Sequence, residues 1–158
     1  MRLRFGQQIL IVIIVSLLVF VSESIIKYYL ILNKIPEQGF YFFKFLQIGF
    51  YPNQYIAFGL PLPQAFTIIL VILILIILSF IWWKSLIKKN IWQFSGISII
   101  ILGALSNLLD RLTYGYVIDY LNIFIWPVFN FADVMIVVGV LLYLFSEFLY
   151  KPKIKSNC

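Results

Sequence analysis

Residues 66–83 read FTIILVILILIILSFIWW, and between Phe66 and Phe80 only Thr67 and Ser79 interrupt the apolar run. A bilayer core takes about 20 apolar residues of helix, so this stretch is long enough to cross one. Lipid offers the backbone no hydrogen-bond partners, which leaves helices and closed barrels as the only spanning structures. A barrel strand would alternate between apolar and polar residues, whereas this run is continuous. It reads as a helix in lipid. Similar runs flank it, and the sequence predicts four membrane helices, at about 9–26, 66–83, 94–109 and 131–150. Composition agrees: the chain is 63% hydrophobic and 11% charged, with a mean hydropathy of +1.04, outside the range of soluble domains. The fold class expected is an all-α membrane protein forming a single membrane-embedded domain over residues 1–158.

Lysine and arginine in short loops mark the cytoplasmic side of a membrane protein. Arg2 and Arg4 precede the first helix, Lys84, Lys88 and Lys89 follow the second, and Lys151, Lys153 and Lys155 lie in the tail 151–158. Both termini are therefore expected in the cytoplasm. The first helix lacks a small-residue cleavage site after it and reads as a retained anchor rather than a removed signal. The net charge of +6 serves as an anchor on anionic headgroups and calls for no nucleic-acid partner. Two connections, 31–65 and 111–130, fall on the outer side. In the first, the aromatic-rich stretch 41–51, a turn signal at Pro52-Asn53-Gln54 and the segment 55–58 predict a small hairpin or sheet at the headgroup level. Its aromatics suit an interfacial belt or a platform for a lipid-linked substrate.

The sequence has no histidine, and its one cysteine is the terminal Cys158. Histidine-dependent nucleophiles and zinc sites of the His or Cys type are thereby excluded, and a carboxylate mechanism stays open. Five of the six acids, Glu23, Glu37, Asp110, Asp119 and Asp133, fall on or near the outer side in this topology, and Glu147 near the inner face. Ionisable residues at such places usually have a partner or a task. Glu23 and Lys27 are spaced i,i+4 for an ion pair, with Lys27 expected to snorkel toward the headgroups. Ser24 with Lys27 is a weaker reading as a serine–lysine dyad. Asp110 and Arg111 read as a structural pair at a helix end. Asn130 and Asp133 have the spacing of a capping box. Asp119 has no neighbouring cation to explain it.

Three blocks carry a resemblance: Gly103-Ala104-Leu105-Ser106-Asn107-Leu108-Leu109-Asp110-Arg111, then Gly115-Tyr116-Val117-Ile118-Asp119-Tyr120, then Phe129-Asn130-Phe131-Ala132-Asp133. In order and spacing they resemble the bacterial lipoprotein signal peptidase (signal peptidase II) patterns G-x-x-G-N-x-x-D-R, G-x-V-x-D-[FY] and F-N-x-A-D. Two further blocks match in part. The family's D-x-x-x-K is met by Glu23 and Lys27, and N-x-G-x-A-F by Asn53, Ala57 and Phe58 with Tyr55 at the glycine; Ser106 likewise replaces a glycine. These departures bear on the packing near the first helix and on the turn after Asn53, since glycine tolerates backbone angles that tyrosine does not, and they leave the implied catalytic pair intact.

The resemblance implies an aspartyl endopeptidase of the bacterial cytoplasmic (inner) membrane, needing no cofactor. It would remove the signal peptide of diacylglyceryl-modified prolipoproteins just before the lipidated cysteine, as a monomer among membrane phospholipids, with its site at the outer leaflet. It implies Asp119 and Asp133 as the catalytic pair, Asn53, Gly103, Asn107, Arg111 and Asn130 as site-supporting residues, Lys27 and Asp110 as structural ones, and a small β-cradle in the first outer loop. Asn107, Arg111 and Asn130 are expected to tie the otherwise unbraced loop of Asp119 to the fourth helix.

The chemistry fits a carboxylate pair. At about 5 Å and an effective dielectric near 20, two negative charges repel by roughly 3 kcal/mol, or about two pK units, so one proton is shared. The ionised member can then activate water while the neutral one hydrogen-bonds the scissile carbonyl. Three rivals remain at this stage: a catalytically silent lipoprotein-binding scaffold, a small proton- or cation-coupled transporter, and a magnesium-dependent lipid phosphotransferase. The transporter lacks an evident polar path through residues 66–80, and the phosphotransferase needs a denser carboxylate cluster.

Overall fold

The computed structural model describes residues 4–37, 39–55 and 60–149. Ala57, Phe58, Arg2, the tail lysines and Cys158 lie outside them. Four helices, α1 (Phe5–Leu32), α2 (Gln64–Ile87), α3 (Ile91–Tyr114) and α4 (Phe131–Leu149), carry a three-stranded sheet of β1 (Phe40–Phe43), β2 (Leu46–Asn53) and β3 (Val117–Asn122). All four helices are long and apolar enough to cross a membrane. The first three extend beyond the sequence estimate, α1 and α3 through polar residues that the bundle itself satisfies, while α4 starts at Phe131 as estimated.

The most polar of the four, α3, is the most buried, and the most apolar, α2, is the least. This inversion is what a lipid solvent demands: polar side chains turn inward and apolar ones face the acyl chains. α3 packs against all three other helices. Trp82 Nε1 donates to Ser98 Oγ at 2.8 Å across α2 and α3, and Gln93 Nε2 donates to Glu147 Oε1 at 3.2 Å across α3 and α4. Small residues let α3 and α4 approach closely. A Cβ on Gly96 would stand 2.7 Å from the Gly139 carbonyl oxygen, and one on Gly103 would stand 2.6 Å from that of Ala132.

The sheet gathers at the end where α1 and α3 finish and α4 begins. β2 is its centre, antiparallel to both neighbours, with Tyr51 opposite Asp119 and Asn53 opposite Val117. Two sequence expectations are corrected. Pro52 and Asn53 complete β2 instead of forming a turn, and the hairpin reverses at Lys44 and Phe45. β1 pairs with β2 only as far as Ile48, so at Pro52 that edge is open and a missing N–H is tolerated. The connection 111–130 is also far from unbraced. Gly115, at φ 85°, caps α3 in the left-handed region, a conformation suited to glycine, and the chain turns straight into β3.

Candidate active site

Asp119 reaches its place because β3 pairs with β2 and lies over the ends of α3 and α4. Asp119 is 2% exposed. Its Oδ2 accepts Asn53 Nδ2 at 2.8 Å, and its Oδ1 accepts Asn130 Nδ2 at 2.8 Å. Asn53 is oriented in turn, because its own Oδ1 accepts the Tyr55 N–H at 2.9 Å. Burial pushes the Asp119 carboxyl up to about 7, helped by the nearby Asp133 charge and opposed by the hydrogen bonds from Asn53 and Asn130.

Asp133 stands in the first turn of α4. The predicted capping box is present: the Asp133 N–H donates to Asn130 Oδ1 at 2.9 Å, and the Asn130 N–H donates to Asp133 Oδ2 at 3.2 Å. The other carboxylate oxygen, Oδ1, accepts Asn107 Nδ2 at 2.8 Å. Asn130 Nδ2 also reaches Asn107 Oδ1 at 3.1 Å, so two linked asparagine amides join the two aspartates. Gly103 lies one helical turn before Asn107, and its lack of a side chain lets α4 come close enough for the Asn107 to Asp133 bond.

A second cluster backs the first. Lys27 Nζ lies 2.7 Å from Asp110 Oδ2 and 3.1 Å from Glu23 Oε1, and it donates to Ser106 Oγ at 3.1 Å and Asn107 Oδ1 at 3.3 Å. The expected Glu23–Lys27 pair is therefore real, but the snorkelling expected of Lys27 is overturned: at 3% exposure it is a buried hub. Asp110 does not pair with Arg111, since neighbouring helix positions point apart. It takes Lys27 and the Ile118 N–H, the latter at 3.1 Å. Nor do Ser24 and Lys27 form a dyad: Ser24 Oγ donates to the Phe20 carbonyl. Among the described residues, no buried side-chain nitrogen or oxygen lacks a partner, and no three Asp, Glu, His or Cys side chains are grouped to hold a metal ion.

Arg111 bonds differently from expectation. It donates to the carbonyls of Asn107 and Tyr55, each at 3.3 Å, tying α3 to the segment after β2 and making no bond to α4. The departures from the family pattern are accommodated. Among the described residues only Lys34 and Lys89 have positive φ outside glycine, so Tyr55 needs no glycine conformation, and Ser106 supplies a ligand to Lys27. The sequence reading missed Tyr120. Its hydroxyl donates to Glu23 Oε2 and accepts the Phe131 N–H at 3.3 Å. Strand alternation was the available signal, since it turns Tyr120 away from the Asp119 face.

Residues 15–149 match the family described as Signal peptidase (SPase) II. The chain belongs to the signal peptidase II family. This family is one of aspartic-type proteases, and the four apolar helices make this signal peptidase II relative a multi-pass membrane protein. The lipoprotein signal peptidase of Moorella thermoacetica is 34% identical over 132 residues, covering 82% of this chain and 87% of that one. That of Thermodesulfovibrio yellowstonii is 33% identical over 136 residues, covering 82% and 89%. A bacterial membrane enzyme solved by the in meso method at 2.3 Å superposes with a TM-score of 0.79 at 28% identity, covering 97% of this chain and 94% of that one.

Proposed function

We propose that this signal peptidase II family member cleaves diacylglyceryl-modified prolipoproteins just before the lipidated cysteine, with Asp119 and Asp133 as its catalytic pair. The observation that carries the reading is the joining of these two carboxylates through the amides of Asn107 and Asn130, in a chain that matches an aspartic peptidase family over residues 15–149. Asp119, held protonated below about pH 7 by its burial, hydrogen-bonds the scissile carbonyl. Asp133, its oxygens steadied by Asn107 and the Asn130 N–H, takes a proton from the attacking water. The water oxygen adds to the carbonyl carbon, a proton passes to the amide nitrogen, and the C–N bond breaks.

Basic residues flank the ends of the helices opposite the sheet: Arg4 precedes α1, and Lys88 and Lys89 join α2 to α3. The positive-inside rule then supports cytoplasmic termini and a site at the outer leaflet of the bacterial inner membrane. There the exposed Phe40, Tyr41 and Phe43 of β1 and Trp126 beyond β3 would meet phospholipid and the lipidated substrate. The whole chain acts as one domain and as a monomer.

The test is cleavage of a diacylglyceryl-modified prolipoprotein by the purified protein in detergent. Native activity that disappears in folded Asp119→Asn and Asp133→Asn establishes the pair. Substrate binding without cleavage by the native chain would favour a silent scaffold instead.

A further inference from the structure

Glu23 does more than neutralise Lys27. It is 1% exposed, and its two oxygens serve different parts of the molecule. Oε1 faces Lys27 and lies 3.4 Å from the Ala132 N–H, while Oε2 accepts the Tyr120 hydroxyl. Lys27 would be held without it, since Asp110, Ser106 and Asn107 also take the ammonium.

The groups that Glu23 and Tyr120 grip flank the aspartates. Tyr120 follows Asp119 on β3, and Phe131 and Ala132 precede Asp133 on α4. Helix N-termini leave their first N–H groups without intrahelical partners. Asn130 caps one of them, that of Asp133; the Tyr120 hydroxyl and the Glu23 carboxylate take those of Phe131 and Ala132. Burial, reinforced by the Glu23 charge, holds the Tyr120 phenol well above its ordinary range, so it remains a donor to Glu23.

We propose that Glu23 and Tyr120 are positioning residues, a carboxylate on α1 and a hydroxyl on β3 that together fix the first turn of α4 and so set Asp133 against Asp119. The proposal rests on the reading that these two aspartates perform the cleavage. A buried aromatic ring alone would fill the space at position 120, but only the hydroxyl links the strand to both α1 and α4.

The experiment measures kcat, KM and thermal midpoint for the full chain in detergent, on a diacylglyceryl-modified prolipoprotein, in the native protein, Tyr120→Phe, Glu23→Asp and the double variant. Tyr120→Phe keeps the ring and is expected to lower kcat about tenfold with KM within about twofold, because a hydrogen bond to a charged group is lost while substrate contacts remain. Glu23→Asp withdraws the carboxylate by one methylene and is expected to lower kcat at least as far. The double variant should lose less than the product of the two single effects, since both changes break the shared Tyr120–Glu23 link.

A native kcat in Tyr120→Phe overturns the proposal even if its thermal midpoint falls, because that result describes a purely structural bond. Single effects that multiply in the double variant overturn it as well. If Tyr120→Phe yields no folded protein, Glu23→Asp decides alone, and a native kcat there is fatal. A native chain that does not cleave instead refutes the reading of the aspartate pair, an outcome distinct from cleavage that is indifferent to Tyr120.

Discussion

Asn130 Nδ2 lies 2.8 Å from Asp119 Oδ1, so the residue that caps α4 also holds the carboxylate on the neighbouring strand. Its other amide atom, Oδ1, accepts the Asp133 N–H. One side chain thus fixes the backbone of one aspartate and the side chain of the other. Lys27 reaches the same network through Asn107, whose oxygen it contacts and whose nitrogen holds Asp133.

Serine separates these two tasks. In Asn130→Ser a hydroxyl can still cap α4, while Asp119 Oδ1 loses its bond from residue 130 and only the Asn53 bond to Oδ2 remains; in Asn130→Ala the cap is lost as well. The thermal midpoint of the serine variant should exceed that of the alanine variant, by the equivalent of about 1 kcal/mol for a helix cap. Both should lose kcat by about tenfold to a hundredfold, as expected when a hydrogen bond to the proposed catalytic carboxyl disappears. Normal turnover in folded Asn130→Ser would show that the Asn130 to Asp119 bond is idle.

The helices were legible because lipid imposes a simple rule on them: long apolar runs such as residues 66–83 have few alternatives. The capping box was legible because it depends on residues three apart. The expectations for Lys27 and for the loop 111–130 failed for a common reason, since each needs partners distant in sequence. Lys27 resembles a snorkelling lysine until Asp110 and Ser106 are brought to it across the bundle. Residues 117–122 resemble a loop until β2 is laid beside them, because a strand has no local hydrogen bonds to announce it. Asp119 and Asp133 could be singled out through the resemblance, whereas the asparagine linkage between them is a property of the assembled fold.

The raised Asp119 carboxyl gives a pH prediction with a definite sign. Its folded value of about 7 lies above an ordinary aspartate near 3.9, so the folded state favours the proton and loses stability as pH rises between those values. Activity should also fall above about pH 7, when the acid is ionised. The thermal midpoint of Asp119→Asn relative to native should therefore climb between about pH 4 and 8. Two parallel midpoint curves would contradict the assignment.

Lys27→Met tests the buried hub. At an exposed, snorkelling position this change would alter stability by less than about 0.5 kcal/mol. Here it leaves Glu23 and Asp110 buried without their cation, a situation that typically costs about 3–5 kcal/mol. Unfolding in detergent should show a large drop in midpoint. Adding Glu23→Gln and Asp110→Asn, which removes the stranded charges, should recover part of it. A stable Lys27→Met protein would mean that the hub is dispensable.

Gly103 controls how closely α4 approaches the asparagine that holds Asp133. In Gly103→Ala the new methyl would stand 2.6 Å from the Ala132 carbonyl oxygen and 3.1 Å from Met135 Cβ. The first contact is with backbone, which cannot rotate away, so the helices must separate and draw Asp133 from Asn107. Overpacking of this kind costs about 1–3 kcal/mol, and kcat should fall with it because the Asn107 to Asp133 bond crosses the same seam one turn away. Gly6→Ala is the control, since a methyl there meets nothing within 4 Å and alanine favours helix. If Gly103→Ala were as active and stable as Gly6→Ala, the close approach of α3 and α4 could not be what sets the Asn107 to Asp133 contact.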